Sequence, residues 1–140
     1  MRNRLWIPTV AAGLLALAGR AGADDLTGQQ RLLCASVHAT LCSADGNCEE
    51  DPPWVLNIPL FVEVNLTDKI LSTTKASGEN RSTPIRSVVR EGGEIFVQGV
   101  EMGRAFSFVI EEATGLSSIA VAREGKTVSV FGACTPIAAK

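Results

Sequence analysis

The chain has 140 residues, of which 13 are basic, 15 acidic, four cysteine, one histidine and none tyrosine. Its length makes one domain with one modest core. The acidic balance argues against nucleic acid and against an anionic membrane surface as partners.

The start of the chain reads as a secretory leader. Arg2 and Arg4 form a basic start, an apolar run of about 15 residues follows, and Ala21-Gly22-Ala23 matches a small-residue cleavage site before Asp24. The run is shorter than the roughly 20 residues of a membrane helix, so no membrane span is expected after cleavage. No cysteine adjoins the cleavage site, and Asn3 separates the two arginines, which argues against a lipoprotein and against a twin-arginine signal. Cleavage after Ala23 leaves 117 residues, with ten basic against 15 acidic residues and a net charge of −5. A bacterial protein in the periplasm, or secreted beyond it, is expected.

All four cysteines survive cleavage, and an even number in an exported chain implies disulfides. Three connectivities are possible. The favoured one joins Cys42 to Cys48 around Asp45-Gly46-Asn47, and Cys34 to Cys134, from the start of the domain to its last strand. The Cys42-x5-Cys48 spacing does not match a zinc site, and no metal or cofactor is expected.

After the leader, residues 24–57 read as a cysteine-bearing lead-in and 58–140 as an antiparallel β-domain that folds with it as one unit. Residues 24–30 are polar and read as loose. Residues 31–42, RLLCASVHATLC, are ambiguous: Leu32, Cys34 and Val37 suit a helix face, whereas Val37, Ala39 and Leu41 alternate as in a strand. A strand or a short helix end is preferred. Residues 43–53 read as loop, because Pro52 and Pro53 cannot sit in a paired strand.

Strands are expected over residues 54–64, 70–74, 85–90, 94–100, 104–111, 116–122 and 127–132. The clearest is RAFSFVIE, in which Phe106, Phe108 and Ile110 share one face. Ile119 with Val121, and Val128 with Val130, repeat the pattern in the last two. Short turns such as Arg123-Glu124-Gly125-Lys126 make neighbouring strands antiparallel. About seven strands so spaced predict an all-β fold, a small antiparallel meander closed as a sandwich or a barrel and held by disulfides.

Chemistry-bearing residues are sparse. His38 has no nucleophile motif around it, and one imidazole is not a metal site. Asp45, Asn47 and Glu49 match the first offsets of a calcium loop, but Glu50 and Leu56 stand where glycine and a bidentate glutamate are needed. Glu111 and Glu112, adjacent on a strand, point to opposite faces and cannot flank one bond. Glu101 and Arg104 read as a surface ion pair across a turn. Asn65-Leu66-Thr67 and Asn80-Arg81-Ser82 are sequons. No catalytic residue is therefore assigned. The segment 75–83, KASGENRST, is the longest exposed polar loop and the candidate binding loop, through Lys75, Ser77, Gly78, Glu79, Asn80 and Arg81.

The residues Gly99-Val100-Glu101, Gly103-Arg104-Ala105-Phe106, Thr114-Gly115 and Phe131-Gly132-Ala133-Cys134-Thr135 resemble a group of small exported proteobacterial proteins of unknown function. The resemblance runs over residues 58–136 and implies export but no activity. In architecture the chain is similar to periplasmic inhibitors of c-type lysozyme, which are β-rich and joined by an early-to-late disulfide. Their Ser-Gly-x-x-Tyr loop motif is absent; Ser77-Gly78 is its nearest counterpart. The function expected is non-catalytic binding, or a structural role, in the cell envelope, with an envelope protein or a glycan as partner. The alternatives are an inhibitor of a lysozyme-like hydrolase, and a small hydrolase using His38 with Asp45 or Glu49.

Overall fold

Period-two alternation carries most of the chain into strands. The computed structural model describes residues 24–78 and 80–138, so the expected leader and Glu79 lie outside the described residues. Nine strands follow in order: β1 (Arg31–Ser43), β2 (Cys48–Asp51), β3 (Phe61–Asn65), β4 (Ile70–Thr73), β5 (Ser82–Glu91), β6 (Glu94–Glu101), β7 (Arg104–Glu111), β8 (Leu116–Arg123) and β9 (Lys126–Pro136). All neighbours are antiparallel. One edge of β1 pairs with β9, and the first half of its other edge with β3. Strands β1 and β3 to β9 thus close into an eight-stranded meander barrel, and β2 folds back on the second half of β1 as an extra strand.

The all-β expectation holds, and the closed form is the barrel. The count of seven strands was two short. Residues 43–53 contain β2, and the ambiguous lead-in is β1, the longest strand and the one that closes the barrel. Conversely, residues 54–64 are not a strand throughout. Pro53–Leu56 is a 3-10 turn, and pairing begins only at Phe61, because Pro52, Pro53 and Pro59 offer no N–H to a ladder.

Two bulges explain where the alternation was hard to read. Leu32, Cys34 and Ser36 point into the barrel; the register then slips between Ser36 and His38, and Ala39 takes over inward. Val37 is left 72% exposed at the slip. In β5 the slip between Ile85 and Ser87 moves the inward phase from Thr83 and Ile85 to Val88 and Arg90. An extra residue in one strand does this without ending the pairing.

The barrel interior is apolar and unevenly filled. At the end where β1 starts, Leu26, Leu32, Val64, Ile95, Val97 and Ile110 pack together, all six fully buried. Residues 24–30 were expected to be loose. Instead the Leu26 amide donates to the Glu112 carbonyl, and the Arg90 guanidinium donates to the Glu112 carboxylate and the Gln29 carbonyl. Leu26 is thereby held as a plug with no exposed surface. The two disulfides are Cys34–Cys134 across the β1–β9 seam and Cys42–Cys48 across the β1–β2 hairpin, the pairing favoured from the sequence.

Candidate functional site: the open mouth of the barrel

The opposite end is not plugged by side chains. Phe106 and Phe108 from β7, Ile119 and Val121 from β8, Val62 from β3 and Leu71 from β4 line an apolar cavity of about 70 Å³. Cys34 and Ser36 of β1 lie on the same wall. The two phenyl rings meet edge to face with centroids 5.8 Å apart. Ile58 and Asn57, which follow the 3-10 turn Pro53–Leu56, reach over one side. The Asn57 backbone is left-handed at φ 57°, and the Ile58 amide donates to the Pro53 carbonyl, which folds this strap back toward the mouth.

Among the polar residues at the opening, Arg81, Thr83, Glu101 and Arg104 each follow from the alternation of their strands. Arg81 precedes Thr83 and Ile85 by two and four residues, Glu101 follows Gly99 and Val97, and Arg104 precedes Phe106 and Phe108. All therefore take the inward phase. The Thr83 hydroxyl donates to Glu101 Oε1 at 2.8 Å. The Arg104 Nη2 donates to Glu101 Oε2 at 3.2 Å, and Arg81 Nη1 lies 3.7 Å from the same oxygen. The side chains of Arg81, Glu101 and Arg104 are only 18%, 25% and 15% exposed. The surface ion pair expected of Glu101 and Arg104 is thus a half-buried cluster at the rim of an apolar cavity. The signal was in the sequence, since Arg104 shares the face of Phe106 and Phe108.

The candidate binding loop stands beside this mouth, with its members in different roles. Ser77 is a staple: its hydroxyl accepts from the Phe61 amide at 3.0 Å and donates to the Phe61 carbonyl at 2.8 Å. Gly78 takes the left-handed conformation that ends the turn Lys75–Ser77, at φ 70°. Lys75 and Asn80 are exposed, and Glu79 lies outside the described residues. Arg81 is the loop residue that lines the cavity. The loop is shorter than expected, because Ser82 and Thr83 already belong to β5.

The other residues weighed from the sequence lie elsewhere. His38 is on the outer wall, opposite Phe131, with Nε2 3.7 Å from Glu50 Oε1 rather than beside Asp45 or Glu49. Asp45 is occupied by the turn: its carboxylate accepts from the Asn47 amide and the Asn47 side chain at 3.1 and 2.8 Å. Those bonds favour the ionised form and lower the Asp45 pKa from its ordinary value. Among the described residues, no three of the His, Cys, Asp and Glu side chains gather as metal ligands would. Comparison with protein-family models, with curated proteins and with solved structures found no match.

Proposed function

We propose that this is an exported bacterial binding protein that takes a small, largely apolar ligand into the mouth of its barrel, without chemistry on it. The observation that supports this reading is the half-filled interior. One end is packed solid around Leu26, while the other keeps an apolar cavity with a few polar groups at its rim, which is how ligand sites are built. Eight strands enclose about the space for one small ligand. The two disulfides agree with an oxidising compartment, and the leader-like start of the sequence agrees with export to the periplasm or beyond.

Two experiments test it. Expression with the natural leader in a bacterial host, followed by N-terminal sequencing of the exported protein, is expected to read Asp-Asp-Leu from Asp24; an intact leader counts against export. Titrating the oxidised mature protein with hexan-1-ol, followed by amide NMR, is expected to shift Phe106, Phe108, Ile119 and Val121. Shifts absent from those four sink the binding reading.

A further inference from the structure

We infer that the ligand of this mouth carries a negative charge: a small monocarboxylate with a short apolar tail, anchored by the Arg104 guanidinium. The inference rests on the reading that the cavity binds a ligand, and it names the class. Three observations carry it.

The first is the state of Glu101. Both of its oxygens are engaged, Oε1 by the Thr83 hydroxyl at 2.8 Å and Oε2 by Arg104 at 3.2 Å. Each oxygen could accept a further bond, but a cationic ligand that reached it would stand beside two guanidinium groups. An anion meets the Glu101 carboxylate too, but the two guanidinium groups outnumber it and leave the rim with a net positive charge.

The second is Arg104 itself. A guanidinium has five N–H donors in a planar fork that matches a carboxylate. One of them goes to Glu101, which holds the group by one corner. Arg104 also stands between two hollows. It lines the apolar cavity on one side, and on the other a larger, more polar recess of about 310 Å³ with Val55, Leu56, Arg123 and Lys126. Its position on the inward phase of β7 puts its charge beside Phe106 and Phe108, where poor solvation strengthens attraction to an anion.

The third is size. A cavity of about 150 Å³ holds benzene, so one of about 70 Å³ seats roughly three carbons. Hexanoate puts the end of its chain there and leaves its carboxylate at the rim; a long-chain lipid does not fit.

The test is isothermal titration calorimetry on the oxidised mature protein with three probes of equal length: hexanoate, hexan-1-ol and hexylammonium. Hexanoate is expected to bind about 10-fold more tightly than hexan-1-ol, and hexylammonium more weakly than either. Arg104→Met keeps an apolar stem without the charge. It is expected to abolish the preference, so that the variant binds hexanoate no more tightly than hexan-1-ol. Equal binding of hexanoate and hexan-1-ol by the unsubstituted protein overturns the anion inference and leaves the binding reading standing. No binding of any of the three overturns both. Because the comparison among probes needs no variant, it decides the question even if Arg104→Met does not fold.

Discussion

Cys34 and Cys134 stand opposite each other on β1 and β9, with Cα atoms 4.0 Å apart, at the seam where the first and last barrel strands meet. Their bond ties residues 100 apart in sequence, whereas Cys42–Cys48 closes a loop of six. In the chain-entropy account the long closure stabilises by about 4–5 kcal/mol and the short one by about 2 kcal/mol. Replacing Cys34 and Cys134 together by alanine is expected to cost roughly twice what replacing Cys42 and Cys48 costs, measured by urea unfolding. Equal losses would mean that loop length does not govern what the seam bond contributes, and no loss at all that pairing and packing hold the seam alone.

The plug gives a second prediction. Leu26 lies five residues before β1 and is fully buried. Leu26→Ala is expected to destabilise by about 2–4 kcal/mol, the usual cost of a core cavity. Arg90→Ala is expected to loosen the same segment, raising amide exchange at Leu26, whose N–H is held by Glu112. Unchanged exchange in the Arg90 variant would assign the docking to Leu26 alone.

The fold was legible wherever a strand kept one phase. RAFSFVIE and the two strands after it were read with their faces correct, because each keeps its own phase throughout: the slip between β1 and β9 places its extra residue in β1. Strand β1 was ambiguous for a physical reason. The slip at Val37 changes the inward set from even to odd positions, so neither a helical nor a strand period fits residues 31–42 throughout. The plug was missed because a single leucine in a polar segment has no period. The site was half legible. Loop 75–83 borders the proposed mouth, and of the residues named in it Arg81 lines the cavity, whereas Arg104 was read only as half of a surface ion pair. Extending the alternation of β7 back by two residues would have found Arg104. Closure into a barrel depends on β1 meeting β9, a pairing between chain ends that local patterns do not encode.

Asp45 carries the pH prediction. The Asn47 amide and side chain both bond the ionised carboxylate, so the folded pKa lies below the 3.8 of a free aspartate side chain. A group with a lowered folded pKa adds its stability above the unfolded value, and that share fades as pH falls through the folded one. Carboxyl-detected NMR is expected to place the Asp45 midpoint below 3.8. In Asn47→Ala the midpoint is expected to rise part of the way, because the backbone donor remains. A midpoint indifferent to Asn47→Ala would assign the shift to the backbone bond alone.

Two glycines separate rigid from yielding parts of the barrel. A Cβ on Gly132 would lie 2.0 Å from the carbonyl oxygen of Ala35. That oxygen is backbone in β1, and Ala35 is paired with Phe61 on one side and Ala133 on the other, so it has nowhere to go. A Cβ on Gly99 would lie 2.3 Å from Cζ of Phe106. Here the obstacle is the far end of a side chain, and the cavity it borders is the space into which the ring would be pushed. Gly132→Ala is therefore expected to cost about 3 kcal/mol or more, and Gly99→Ala about 1–2 kcal/mol, by thermal or urea unfolding. The Gly99 variant should fold and yet lose hexan-1-ol binding, since its own ring then fills the space. Retained binding in a folded Gly99→Ala protein would place the ligand outside the barrel.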